Sequence, residues 1–210
     1  MTKESAFFSK IEQVISNLKI EELTIERKVK LQPLVAFIQT KVNEQKEIKL
    51  NFICTHNSRR SHLAQVWAQT AAAHFNIKNV FCYSGGTEAT AMFPMVVKTL
   101  ENQGFKIDTL SEGANSIYAI NYAESEHPVI GFSKRYDNDF NPKDKFAAIM
   151  TCSEADVGCP FISGAEYRVP LTYDDPKTYD NTAQQIAQYQ KRSLQIATEM
   201  FYVFSKIQNK

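Results

Sequence analysis

Apolar positions recur at helical spacing near the start of the chain. Phe7, Ile11, Val14, Ile15 and Leu18 form one run, and Val35, Phe37, Ile38 and Val42 another. The pattern predicts helix over residues 4–46. A second stretch opens near Glu21, and Pro33 is expected to break or restart it, because proline has no N–H to donate. At Ile48 the period changes. Residues 48–53 are apolar on both faces, which suits a strand covered on both sides. Residues 61–75 return to helical spacing through Leu63, Val66, Trp67 and Thr70. Residues 80–84 predict a strand ended by Gly85-Gly86. Residues 92–104 predict a helix with Gly104 as its cap.

The second half of the chain has the same texture. Residues 116–120 and 128–132 read as two strands of a hairpin, and 145–151 and 167–171 as further strands. A last helix is expected over 182–207, with Ile186, Ser193, Ala197, Met200, Phe204 and Ile207 along one face. No internal repeat interrupts this order. Strands alternating with helices predict an α/β fold with a mainly parallel sheet flanked by helices. The expected organisation is an N-terminal helical extension, 1–46, and a catalytic unit, 47–210. Parallel sheets bind ligands beyond the carboxyl ends of their strands, and Cys54 and Cys152 both stand there.

Composition narrows the function. The chain has 210 residues, 43% of them hydrophobic, enough for one sizeable core. A net charge of +1 provides no field to recruit nucleic acid or acidic lipid. No apolar run reaches the ~18 residues of a membrane span. Residues 1–5 lack a basic start followed by an apolar stretch, so no export signal is expected. Four cysteines are too few for a disulfide framework in this length. They fit a reducing cytoplasm, where thiols do chemistry.

The chemistry concentrates in Cys54-Thr55-His56-Asn57-Ser58-Arg59-Arg60-Ser61. A loop between strand and helix can turn successive N–H groups inward around an anion. The helix start adds free donors and the positive end of a dipole. The planar fork of Arg60 can grip two oxygens of a phosphate-shaped guest. The same field favours a thiolate at Cys54, which can attack the bound centre. Ser58 and Ser61 add hydroxyl donors, and the Ser61 hydroxyl can steady the sulfur. The bare spacing also fits a buried cysteine with arginines nearby. The setting between strand and helix favours the anion loop.

This stretch resembles the phosphate loop of the low-molecular-weight protein tyrosine phosphatase fold. Within that fold it is similar to the arsenate reductases, whose loop reads Cys-Thr-Gly-Asn-Ser-Cys-Arg-Ser. Tyr83-Ser84-Gly85-Gly86-Thr87-Glu88 resembles the turn after the second strand. The likeness spans roughly 47–208, without much of 115–142. His56 stands where the family has glycine, and is strained if that position needs a positive φ. Arg59 stands where cysteine is frequent, and either adds a second cation beside the anion or points to solvent. Some relatives hold a potassium ion near the loop, where Asn57 and Ser84 would be ligands. Gln65 replaces the acidic ligand expected there, so neither that ion nor any other cofactor or metal is expected.

The resemblance assigns the general acid to Asp175, directly before Pro176, with Asp174 shaping the loop. An Asp-Pro pair alone also reads as a turn. Cys152 and Cys159 have no use in a plain phosphatase. The likeness to thioredoxin-coupled arsenate reductases implies a relay. Cys54 bonds arsenic, Cys152 attacks Cys54, and Cys159 attacks Cys152, each step a thiolate attacking sulfur. The segment between the two cysteines must bend to close a disulfide. A thioredoxin-like reductant is the implied partner. By themselves the two thiols also fit buried apolar residues, and their spacing does not suit zinc. Cys82 reads as structural. The alternative function is hydrolysis of phosphate monoesters by Cys54, Arg60 and Asp175, with Tyr173 and Tyr179 as aromatic walls. A third reading, a non-catalytic anion sensor, needs no sulfur at position 54.

Overall fold

A computed structural model describes residues 7–159 and 161–209. The helical expectation for residues 4–6 lies outside the described residues. The chain runs α1 (Ser9–Ser16), α2 (Ile25–Asn43), β1 (Ile48–Cys54), α3 (Arg60–His74), β2 (Val80–Gly86) and α4 (Pro94–Asn102). Then follow β3 (Lys106–Ser111), β4 (Ile117–Asn121), β5 (Val129–Gly131), β6 (Phe146–Met150), α5 (Ser153–Gly158), β7 (Ala165–Pro170) and α6 (Gln185–Ser205). Short 3₁₀ turns lie at Ile20–Glu22 and Pro176–Tyr179.

The four strands of the main sheet pair in parallel, in the order β2-β1-β6-β7. Alternation along β1 and β6 sends Leu50, Phe52, Ala147 and Ile149 into one core, with Trp67, Leu34, Ile38 and Phe201 from the helices. Ile53, Cys54, Ala148 and Met150 face the other way, under Cys152, Ala155 and Ile162. The first face therefore carries α2, α3 and α6. The second is covered by the short α5 and by loops. α1 and α2 contribute Ile11, Leu31 and Leu34 to the same large core as the sheet.

Several local expectations need correction. α2 runs unbroken through Pro33. The carbonyl left without its helical donor is that of Val29, an exposed residue, so water can take the bond. Gly85 and Gly86 belong to β2 rather than ending it. A Cβ on Gly85 would stand 2.4 Å from the Tyr136 Cα, so glycine permits two backbones to meet there. α6 buries Ser193, Ala197, Met200 and Phe204 on the expected face and Tyr189 and Ile196 beside them, while Ile186, in the first turn, is half exposed. The expected hairpin exists as β4 and β5, but β3 joins them in an antiparallel sheet of order β3-β4-β5.

β2 is an edge strand whose open side is capped by side-chain amides. Gln69 donates to the Val80 carbonyl and accepts from the Cys82 N–H. Gln65 donates to the carbonyls of Cys82 (3.0 Å) and Ile130 (3.2 Å), joining the two sheets. Asn141 donates to the Ser84 carbonyl. These bonds blunt an edge that would otherwise pair with another strand. No helix among the described residues is long and apolar enough to cross a membrane.

Candidate active site

The loop 55–59 leaves the carboxyl end of β1 and opens α3 at Arg60. Its carbonyls all point outward, each to a donor outside the loop or further along the helix. Cys54 O accepts from Thr87 N–H, and Thr55 O from Glu88 N–H and the Thr87 hydroxyl. His56 O accepts from the hydroxyls of Thr90 (3.1 Å) and Ser133 (2.9 Å). Asn57 O accepts from His62 Nε2, Ser58 O from Phe93 N–H, and Arg59 O from Leu63 N–H. Among the described residues, no acceptor takes the N–H groups of Thr55, His56, Asn57, Ser58, Arg59 or Arg60. With the oxygens turned out, this run of N–H groups is left free, the arrangement that binds tetrahedral anions. Gly86 lets the wrap close. A Cβ there would stand 2.7 Å from both Asn57 N and Thr55 O.

The residue of the loop with positive φ is Asn57 (φ 44), not His56. Asparagine tolerates that region better than most residues. The His56 side chain points outward, half exposed, 3.6 Å from Glu88. Asn57 is buried and bonded at both ends of its amide. Oδ1 accepts from Lys134 N–H (2.9 Å), and Nδ2 donates to Ser61 Oγ (2.9 Å). Because Ser61 already accepts from Asn57, its own hydrogen is free for Cys54 Sγ, 3.2 Å away. The hydroxyl thus donates toward the sulfur, which suits a thiolate.

His62 completes the support. Its Nε2 faces the Asn57 carbonyl at 2.9 Å and its Nδ1 faces the Ser84 hydroxyl at 3.2 Å. The carbonyl partner assigns the proton to Nε2. Burial, with help from the Lys134 charge, lowers the His62 pKa to about 3, so the ring is neutral. Lys134 is itself buried, which lowers its pKa to about 7. Sequence reasoning missed both. His62 follows a helix start with nothing to mark it, and Lys134 lies in a loop far along the chain.

Arg60 is buried, and its fork reaches toward the segment after β7. NH1 donates to the Tyr173 carbonyl (2.8 Å) and NH2 to Asp175 Oδ2 (2.6 Å). Among the described residues its Nε has no partner. Asp175 also caps the turn Pro176–Tyr179 by accepting from Lys177 N–H. A cavity of about 520 Å³ opens beside Arg60, Glu154, Asp175 and Tyr179. Asp174 points away to Arg192. Arg59 takes neither expected course. It donates to Tyr189 OH (2.6 Å) and Asp180 (2.7 Å), with Phe93 4.0 Å below its guanidinium. Its side chain ties the loop to α6 instead of facing an anion. Tyr173 is largely buried, with its hydroxyl on Glu199 at 2.8 Å, and lines the cavity together with Tyr179.

Cys152 is fully buried and caps the start of α5, its sulfur accepting from Ala155 N–H. The same sulfur lies 3.5 Å from the Thr55 hydroxyl, against the residue that follows Cys54. Burial raises the Cys152 pKa, while the Thr55 hydroxyl, the Ala155 N–H and the Arg60 charge offset part of the rise. Cys159 is half-buried at the other end of α5. All four cysteines are free thiols. The fold thus brings Cys54, Ser61, Arg60, Asp175 and Cys152 to one end of the sheet, with Cys159 one short helix away. Cys82 is buried in β2, and burial pushes its thiol far up. Gln65 spends its amide N–H on the carbonyls of Cys82 and Ile130, while its buried Oε1 has no partner among the described residues. Among the described residues, no cluster of His, Cys, Asp and Glu could hold a metal.

Residues 49–125 match the family described as low molecular weight phosphotyrosine protein phosphatase. An arsenate reductase of Staphylococcus aureus is 29% identical over 126 residues, 60% of this chain and 76% of that protein. An arsenate reductase of Bacillus cereus is likewise 29% identical over 126 residues, 74% of its length. A low molecular weight phosphotyrosine phosphatase from Vibrio cholerae aligns with a TM-score of 0.50 at 14% identity. That alignment covers 75% of this chain and 95% of that one. At such identity the likeness speaks for the fold.

Proposed function

We propose that this chain, an enzyme of the low-molecular-weight phosphotyrosine protein phosphatase superfamily, reduces arsenate to arsenite with its own thiols. The observation that carries the reading is the second buried thiol, Cys152, held by Thr55 at 3.5 Å beside the anion loop. Hydrolysis of a phosphate ester has no use for it. Two relatives named arsenate reductase support the same choice.

In this reading the free N–H groups of residues 55–60 and the Arg60 guanidinium bind the oxyanion. Cys54 Sγ attacks arsenic(V), and one oxygen leaves as water with a proton from Asp175. The Cys152 thiolate then attacks Cys54 Sγ. The sulfur–arsenic bond breaks, its electron pair stays on arsenic, and arsenite leaves as arsenic(III). Cys159 attacks Cys152, which frees the Cys54 thiolate and leaves a Cys152–Cys159 disulfide. An external dithiol of the thioredoxin kind returns that disulfide to two thiols. The setting is a reducing cytoplasm.

The competing reading is hydrolysis of phosphate monoesters by Cys54, Arg60 and Asp175 alone. It gives the Cys152 thiol beside the loop no role, although Tyr173 and Tyr179 both line the cavity it would use. Replacing Cys152 or Cys159 with serine separates the two. Arsenate reduction is expected to fall at least about 100-fold, while hydrolysis of an aryl phosphate survives. Unchanged arsenate turnover in both variants overturns the relay. Retained activity of Cys54→Ser overturns both enzymatic readings.

A further inference from the structure

The helices before the sheet reach the candidate site through one side chain. Arg27, near the start of α2, lays its fork on both oxygens of Glu199 in α6, at 2.7 and 2.9 Å. Its NH2 also donates to the Thr172 carbonyl at 3.2 Å, and its guanidinium stacks 4.9 Å from the Tyr173 ring centre. Tyr173 in turn donates its hydroxyl to Glu199 at 2.8 Å. Glu199 is fully buried and Arg27 partly so. The next contacts along this segment are the Tyr173 carbonyl on Arg60 and the Asp175 carboxylate on Arg60. One end of residues 172–175 is therefore pinned by α2, and the other meets the arginine of the anion loop.

We propose that Arg27 is a positioning residue for the reaction, holding Thr172 and Tyr173 so that Asp175 stands over the loop that carries Cys54. This rests on Asp175 being the acid. A surface helix would need no such contact. Its apolar face already buries Leu31, Leu34 and Ile38. A guanidinium with its fork on Glu199 and one bond to the backbone of the acid segment fixes a direction as well as adding affinity. Losing it would free the segment to pivot about Leu171, and misplacement of an acid by about 1 Å is enough to slow proton transfer steeply.

The test measures hydrolysis of aryl phosphates with leaving groups from dinitrophenol to phenol. Proton donation matters most for the basic phenolate. Arg27→Lys keeps the charge toward Glu199 but loses the forked grip on Thr172. The pair Arg27→Met with Glu199→Leu removes the buried charges together, so the fold does not depend on an unpaired carboxylate. Both are expected to lower kcat on phenyl phosphate about 10- to 100-fold. On dinitrophenyl phosphate, kcat and KM are expected to stay within about threefold. Asp175→Asn is the reference and should steepen the same dependence more. If Asp175→Asn leaves the dependence unchanged, the acid assignment fails by itself. If Asp175→Asn steepens it and neither Arg27 variant does, the role of Arg27 is overturned. An equal fall on all substrates overturns that role too.

Discussion

One turnover of arsenate without an external reductant should take α5 apart. Cys152 and Cys159 cap the two ends of that helix. At a rise of about 1.5 Å per residue, seven steps put their Cα atoms about 10 Å apart. A disulfide needs them within about 7 Å. The relay therefore requires the backbone between them to leave the helical form. The resistance is modest. Asp156 N–H to Cys152 O and Cys159 N–H to Ala155 O, both 3.0 Å, are lost. Each is worth about 1 kcal/mol. Ala155 is the single buried residue of the helix, so little packing is lost. The larger clamp is Arg168, which donates to the Cys159 carbonyl and to the carbonyl and carboxylate of Asp156. Charged bonds of this kind add about 1.5–3 kcal/mol. Hydrogen exchange read by mass spectrometry, with mapping of the cysteine pairs, tests this. Protection of residues 155–159 should vanish as the Cys152–Cys159 disulfide appears, and Arg168→Ala should speed that step about tenfold. A Cys152–Cys159 disulfide formed with α5 still protected would refute the geometry.

The support of the anion loop makes further outcomes testable. Asn57→Ala removes a residue suited to φ 44, strands the Lys134 N–H and frees the Ser61 hydroxyl. It should lower stability by about 3–5 kcal/mol in urea unfolding, and an unchanged midpoint contradicts the network. Gly86→Ala forces a Cβ to 2.3 Å from the Glu88 carbonyl. Competitive inhibition by inorganic phosphate should weaken at least about tenfold, and an unaltered constant counts against close approach there. Acid should destabilise the fold through His62. Its folded pKa of about 3 lies below the ordinary 6.5, so the unfolded chain takes the proton first. Stability from this group is full above pH 6.5 and falls toward pH 3, by about 1.4 kcal/mol per pH unit. His62→Gln should flatten that slope between pH 4 and 6, and an identical slope in the variant removes His62 as its source.

What could be read from the chain follows from where each partner lies. β1 and β6 were legible because both faces are buried, so nearly every residue is apolar. β3 was not, because only Ile107 is even partly buried and its sequence alternates with nothing. The Cys54-to-Arg60 loop was legible as a local motif between strand and helix. Its left-handed residue is Asn57 and not His56, a choice of backbone angle that the residue spacing does not report. Arg59 looked like a spare cation because Asp180 and Tyr189 are remote in sequence. Arg27, Glu199 and Thr172 were invisible for the same reason: the contacts span more than a hundred residues, and no spacing rule reports them. The place of Tyr173 along the cavity was legible, but nothing nearby in the chain announces that Glu199 holds its hydroxyl.

The account depends on the inward N–H groups of residues 55–60 holding a tetrahedral oxyanion next to sulfur. Backbone amide NMR with stepwise addition of vanadate reads those groups directly. The amide protons of Thr55 to Arg60 should move downfield together and saturate at one equivalent, while those of β3 to β5 stay in place. Saturation with no movement in that run, or movement centred on any other part of the molecule, would contradict it.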